Sequence, residues 1–192
     1  MSVRDQGTVR VFTPGTVLTT GRLSLRPFEA SDAGDVYDAV RGDAEIARWM
    51  AWAEGYTPES AREFCERLAH DRPGEQITFA IVPDEDGRLA GAIGLTATGG
   101  PGNVPTVEVG YWLAARCRGR GYVTEAVRAV CSYAFSGGME RVVLQAAAGN
   151  AASQAVARRC GFTREGLLRR AGLVPGGVAD MVLFGLLPGE LT

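Results

Sequence analysis

Apolar and polar residues alternate along Leu23-Ser24-Leu25-Arg26 and stop at Pro27, which has no N–H for a sheet ladder; this predicts a first strand. Ser31 then stands as an N-cap, Asp32 and Asp35 fall in a first turn, and Val36, Tyr37 and Val40 follow at helical spacing. A helix is expected from Asp32 to about Arg41. Ile46, Ala47, Trp49 and Met50 predict a second, short helix within Asp43–Trp52. Thr57-Pro58-Glu59 combines an N-cap, a proline at the first helical position and an acidic first turn, so a third helix should run from Pro58 to about Asp71.

The period then changes. Gln76–Pro83 and Arg88–Thr98 are strand-like runs joined by Asp84-Glu85-Asp86-Gly87, which predicts a hairpin. Gly99–Pro105 reads as an exposed loop ahead of a strand, Thr106–Leu113. The Arg/Gly loop Arg116-Cys117-Arg118-Gly119-Arg120-Gly121 opens into a helical pattern that should end at Gly137-Gly138. Arg141–Ala147 is the next strand; Asn150 caps a helix over Ala151–Arg159, and Gly161 stops it. Thr163–Arg170 and Val178–Leu186 are two final strands linked through Val174–Gly177. Met1–Gly21 shows no sustained period and reads as an irregular leader with a brief strand at Val9–Phe12.

This order predicts one mixed α/β (α+β) domain over residues 22–192, behind a leader over 1–21, with helices on both faces of the sheet. The β-α-β portion from Thr106 to Ala147 should be a right-handed crossover that brings its helix N-terminus to the carboxyl edge of the sheet, where ligands bind.

Composition narrows the partners. A chain of 192 residues with 46% hydrophobic and 22% charged residues is long enough to bury one real core and is not disordered. A formal net charge of −2 gives no electrostatic reason to expect nucleic acid or anionic membrane. Cys65, Cys117, Cys131 and Cys160 lie far apart without metal-ligand spacing, and read as reduced, mostly buried thiols. His70 is the only histidine, within a charged stretch, so neither a zinc cluster nor a Ser-His-Asp triad is expected, and His70 reads as a solvated helix residue. With no signal-peptide core and no membrane-length apolar run, the cytoplasm is the expected compartment.

The Arg/Gly loop carries the candidate chemistry. Two glycines let the backbone turn tightly, several N–H groups can converge on one anion, and the following helix adds its positive end. A diphosphate suits that arrangement, although an ordinary strand-to-helix connection is equally open on pattern alone. No G-K-[ST] closes the loop, and no G-x-G-x-x-G with a distant acidic residue is present, which disfavours a nucleoside triphosphate or a nicotinamide dinucleotide.

R-C-R-G-R-G-Y-V-T-E-A resembles the R/Q-x-x-G-x-G/A acetyl-CoA loop of the GNAT N-acetyltransferases. V-E-V-G-Y-W-L before it, G-N-A-A-S-Q-A-V-A-R-R-C-G-F after it and the opening R-L-S-L-R-P-F-E-A-S-D-A are similar to the RimJ/RimL-like branch, which acetylates ribosomal-protein N-termini. The resemblance covers Gly21 to Leu191. It implies a central mixed, mostly antiparallel sheet splayed at the cofactor strand, acetyl-CoA as co-substrate, no metal, and by family habit a homodimer.

By the same resemblance the backbone of Tyr111, Trp112 and Leu113 faces the pantetheine arm, while the amides of Arg118, Gly119, Arg120, Gly121, Tyr122 and Val123 hold the pyrophosphate. Core packing alone would also account for Tyr111 and Trp112. The Arg116 and Arg120 side chains are expected to be solvated. Asn150 caps its helix and could also reach the pantetheine through its amide. Many GNAT enzymes place a tyrosine acid four residues before the helix-ending Gly-Phe; Ala157 stands there in this chain, so Ser153 or solvent is left to meet the thiolate. Glu108 shares a strand face with Gly110 and Trp112 and is the candidate base, against a purely strand-ordering or water-binding role.

Trp49, Met50, Trp52 and Tyr56 could line an acceptor pocket, with core expected for at least half of them. N-terminal peptides, small amines and aminoglycoside-like antibiotics all remain open as acceptors. An acyl-CoA-binding sensor without catalysis is the alternative function, and a plain interaction module a third.

Overall fold

The computed structural model describes residues 12–70, 72, 75–98 and 103–192. Its strands are β1 Leu18–Thr19, β2 Leu23–Arg26, β3 Gln76–Pro83, β4 Gly91–Thr98, β5 Thr106–Leu113, β6 Arg141–Ala147, β7 Thr163–Val174 and β8 Gly177–Leu186. They form one sheet in the order β1-β2-β3-β4-β5-β6-β8-β7. Every neighbouring pair is antiparallel except β5 and β6. That parallel ladder runs only from Thr106–Glu108 against Arg141–Val143, and beyond it the two strands part.

Period-two alternation gives the sheet two apolar faces and the molecule two cores. Ile77, Phe79 and Ile81 of β3, with Val107 and Val109 of β5, pack beneath α4 (Tyr122–Ser136) and α5 (Ala151–Arg159). Ala80 and Val82, with Trp112, pack on the other face beneath α1 (Ala33–Val40), α2 (Ala44–Trp49) and α3 (Pro58–Glu63). Phe79, Ile81, Ile93 and Leu95 are fully buried, each stabilising the fold by roughly 1.5–3 kcal/mol.

Most helix boundaries follow their caps. Asp43 accepts the Glu45 and Ile46 N–H groups to start α2, and Thr57 accepts that of Ser60 to start α3. The first helix begins differently from the sequence expectation. Ser31 is not its cap; Ala30–Asp32 form a 3-10 turn in which the Asp32 carboxylate accepts the Glu29 N–H at 2.8 Å. Arg26 from β2 forks onto the same carboxylate at 2.7 and 2.8 Å. Burial would raise the Asp32 pKa, but the Arg26 hydrogen bond and the Glu29 amide hold it below the usual carboxylate range. A carboxylate only 7% exposed needs these partners, so Asp32, not Ser31, sets the geometry.

α3 gives way to a π-helical turn over Phe64–Leu68, which ends the helical run before the expected Asp71, a residue outside those described. His70 is exposed in the bend that follows rather than in the helix itself. Residues 9–11 and 99–102, where a brief strand and a loop were expected, also lie outside the described residues. All four cysteines are buried and free.

Candidate active site

Where β5 leaves β6 a cleft opens, with a volume of about 1380 Å³. Tyr111, Trp112 and Leu113 of β5 form one wall, the loop glycines and the start of α4 the floor, and Asn150, the cap of α5, with Ser153 in its first turn the opposite wall. The cleft exceeds the roughly 300–1,000 Å³ typical of a small-ligand pocket.

The loop is shaped by Gly119 and Gly121, whose φ angles of 76° and 82° lie in the left-handed region. The α4 ladder begins with the Glu125 N–H on the Gly121 carbonyl at 3.1 Å. The N–H groups of Tyr122, Val123 and Thr124 therefore have no acceptor within their own helix, and they point from its positive end. The Arg118 amide departs from the expected set: it donates to the Ala115 carbonyl at 3.2 Å, inside the turn.

The arginines brace this loop. Arg118 reaches Asp43 at 2.6 Å and the Leu113 carbonyl at 2.9 Å, tying the loop to the cap of α2. Arg120 forks onto Glu85, and Arg116 donates to the Leu89 carbonyl; both residues remain exposed while paired in this way. Arg22 was not singled out from the sequence, yet it pairs with Glu125 at 2.6 Å and donates to the Arg120 carbonyl at 3.2 Å. The guanidinium groups of Arg22 and Arg120 each lie 5.0 Å from the Tyr122 ring centroid. Arg22 and Glu125 are 103 positions apart, and no local pattern links them.

On the far wall Asn150 Oδ1 accepts the Ser153 N–H at 3.0 Å, the expected cap. The Tyr111 hydroxyl, carried across from β5, lies 2.9 Å from Ser153 Oγ. Burial pushes the Tyr111 phenol up to about 12, against the opposing hydrogen bond to Ser153. Burial likewise lifts the Cys160 thiol to about 11, and its Sγ faces the Thr124 carbonyl.

Glu108 projects to the opposite side of β5 from Tyr111, on the face that Trp112 packs beneath the first three helices. It stands at the last paired position before β5 and β6 part, half-buried, and does not itself line the cleft. Burial raises its pKa, only partly opposed by a 3.3 Å hydrogen bond from Gln145. Of the four candidate acceptor residues, Trp49 and Met50 line the cleft. Trp52, 46% exposed, instead packs edge-on against Tyr56 and tilts over Trp112. Trp49 comes so close to Gly149 that a Cβ there would sit 3.2 Å from its ring. That contact joins α2 to the loop before α5, and sequence pattern gave no sign of it.

The family model for the acetyltransferase (GNAT) domain matches residues 22–163. The chain belongs to the GNAT acetyltransferase family. Among its relatives, YdaF of Bacillus subtilis (strain 168), provisionally named a ribosomal N-acetyltransferase, is 31% identical over 177 residues, 88% of this chain and 92% of that protein. RimL, the ribosomal L7/L12 alpha-N-protein acetyltransferase, solved with coenzyme A, is 25% identical with a TM-score of 0.78, covering 90% of this chain and 98% of that one. RimJ of Mycobacterium smegmatis, solved with a CoA disulfide, is also 25% identical with a TM-score of 0.78, covering 92% and 89%. The GNAT match contains β5, the Arg/Gly loop, α4 and α5, so the walls and floor of the cleft fall inside it. Among the described residues no helix is long and apolar enough to cross a membrane, and no group of His, Cys, Asp and Glu side chains could hold a metal ion.

Proposed function

We propose that this protein is a cytoplasmic, acetyl-CoA-dependent N-acetyltransferase that moves the acetyl group to a primary amine, a protein N-terminal α-amine or a small-molecule amine, by direct attack in a ternary complex. The observation that carries this reading is the parting of β5 from β6 beyond Glu108, directly beside a helix start whose first-turn amides have no acceptor within their own helix. The parting leaves the β5 main chain from Val109 to Leu113 without a ladder on that side, suited to an amide-bearing pantetheine arm. Gly119, Gly121, Tyr122 and Val123 would hold the pyrophosphate through backbone N–H groups, and Asn150, while capping α5, has its side-chain N–H groups for the arm. Arg118 and Arg120 then act by holding the loop in shape rather than by charge on the phosphates.

The alternation of β5 distributes the remaining roles. Glu108 faces the helical side of the sheet that carries Trp49 and Met50, where it would take the amine's proton directly or through one water. Burial raises its pKa, which makes its carboxylate a stronger base than an exposed glutamate. Ser153, on the α5 side, would offer its hydroxyl to the thiolate that leaves. The names of RimL and YdaF support a peptide N-terminus as acceptor. The four free, buried thiols support the cytoplasm.

The test is to incubate the protein with acetyl-CoA and a panel of N-terminal peptides, small amines and aminoglycosides, following release of free thiol. Turnover with at least one amine is expected. Absence of turnover together with absence of CoA binding would refute the reading, whereas tight CoA binding without turnover would favour a sensor domain.

A further inference from the structure

Ser153 is held from several directions. Its N–H is bound by Asn150 at 3.0 Å, its Oγ lies 2.9 Å from the Tyr111 hydroxyl, and its carbonyl oxygen lies 3.4 Å from the same hydroxyl. A phenol has one hydrogen to donate, and the serine oxygen is the nearer acceptor. If the phenol donates there, the serine hydrogen cannot point back at Tyr111 and must turn elsewhere. Both residues line the cleft.

We propose that Tyr111 is the positioning residue for Ser153: its hydroxyl donates to Ser153 Oγ and turns the serine O–H into the cleft, where that hydrogen meets the departing thiolate. This rests on the acetyltransferase reading above and adds a residue to it. Ala157 leaves the helix position of the usual tyrosine without a hydroxyl, and Tyr111 brings a phenol to the same helix from the facing strand. With its pKa pushed up to about 12 the phenol keeps its proton throughout the neutral range and so always has a hydrogen to donate. Cys160, the other titratable group that bears on it, is likewise neutral there. In the reaction the amine nitrogen bonds to the acetyl carbon, the carbon–sulfur bond breaks, and its electron pair leaves on sulfur. The amine's proton goes to Glu108 or water, and the thiolate is stabilised by the Ser153 hydrogen before solvent protonates it. Two hydroxyls in series polarise each other, so the donor offered to sulfur is stronger than an isolated serine.

The readout is the ionisation of bound CoA, which requires no knowledge of the acceptor. Thiolate absorbance is titrated on the full chain with CoA, using desulfo-CoA as blank, for wild type, Tyr111→Phe, Ser153→Ala and the double variant. In the wild type the bound thiol should titrate below free CoA. Each single variant should raise its pKa by about 0.5–1 unit, the scale of one hydrogen bond. The double variant should add little to either, and kcat with any amine that turns over should fall about tenfold in Tyr111→Phe with KM for acetyl-CoA unchanged.

A thiol pKa that moves in Ser153→Ala but not in Tyr111→Phe would overturn the proposal. So would a lower pKa in Tyr111→Phe, because the tyrosine would then have been sequestering the serine hydrogen. Tyr111→Phe keeps the ring that packs in the core; should it nevertheless lose CoA, an unshifted thiol pKa in Ser153→Ala, which leaves Tyr111 in place, would overturn the proposal from the other side. Failure of the wild type to bind CoA would sink the acetyltransferase reading itself, whereas normal binding with unmoved ionisation removes only the role of Tyr111.

Discussion

Glu108, as the proposed base, would set function against stability within one side chain. Burial raises its pKa, so the folded chain binds this proton more tightly than the unfolded chain does. Stability therefore falls as pH rises from the ordinary glutamate value through the raised folded one, and a neutral glutamine avoids that loss. Glu108→Gln should melt at a higher temperature than wild type at pH 8, with the gap closing toward pH 4. As a base, Glu108 should lose roughly 100-fold or more in kcat on the same substitution, along with the acidic limb of the pH–rate profile. A stability gain with unchanged kcat would make Glu108 a strand-ordering residue. Its face was legible from period two alone, because alternation fixes direction wherever a strand exists. The Tyr111–Ser153 contact was not, since 42 positions separate its partners and only packing brings them together. Ser31 and Asp32 are both cap-forming types, and nothing local chooses between them; Arg26 does, from a different element.

Asp43 joins two elements whose functions are separate. One carboxylate oxygen starts α2, which presents Trp49 to the cleft, while the other receives Arg118 from the Arg/Gly loop. Asparagine caps nearly as well as aspartate, so Asp43→Asn should leave melting almost unchanged yet weaken CoA binding by releasing Arg118. Asp43→Ala should do both, losing about 1 kcal/mol of cap and roughly 2–4 °C of melting temperature. Equal CoA affinity in wild type and Asp43→Asn, measured calorimetrically, would show the loop to be held without this bridge. Gly121→Val should act inside the loop, where a φ of 82° is unfavourable for a β-branched residue; at least a tenfold loss of CoA affinity with a folded chain is expected. The elements themselves read well from sequence where an apolar run is bounded by caps or turn residues, as for β3, β6 and α5. They read less well where helical geometry changes without a breaker: the π turn at Phe64–Leu68 contains neither glycine nor proline.

The whole molecule divides where its sheet does. β1 to β5 form one side, β6, β8 and β7 the other, and only three residue pairs join them through the ladder, with α4 packed across both. The parallel pairing was legible in the β-α-β order, whereas the parting of the strands followed from family resemblance and not from pattern. The place of the last two strands was not legible either: β8 pairs with β6 and β7 takes the edge. Val182, Phe184 and Leu186 of β8 are buried, while β7 is largely exposed, so the more apolar strand holds the interior. β7 departs from regular pairing beside Glu165 and again before Gly172, where Arg170 adopts a φ of 52° and donates its N–H to Asp180; such irregularities blunt an exposed edge. A ligand seated between the two sides would replace missing ladder contacts and should tie them together. At a hundredfold excess over its Kd, CoA would add about 2.7 kcal/mol to stability, or roughly 5–10 °C in melting temperature for a chain of this size. Hydrogen exchange should slow over Val109–Leu113 and the first turn of α4, while β7 stays unchanged. A thermal shift without protection at Val109–Leu113 would place CoA outside the cleft, because a ligand bound elsewhere stabilises the fold without covering the unpaired edge of β5.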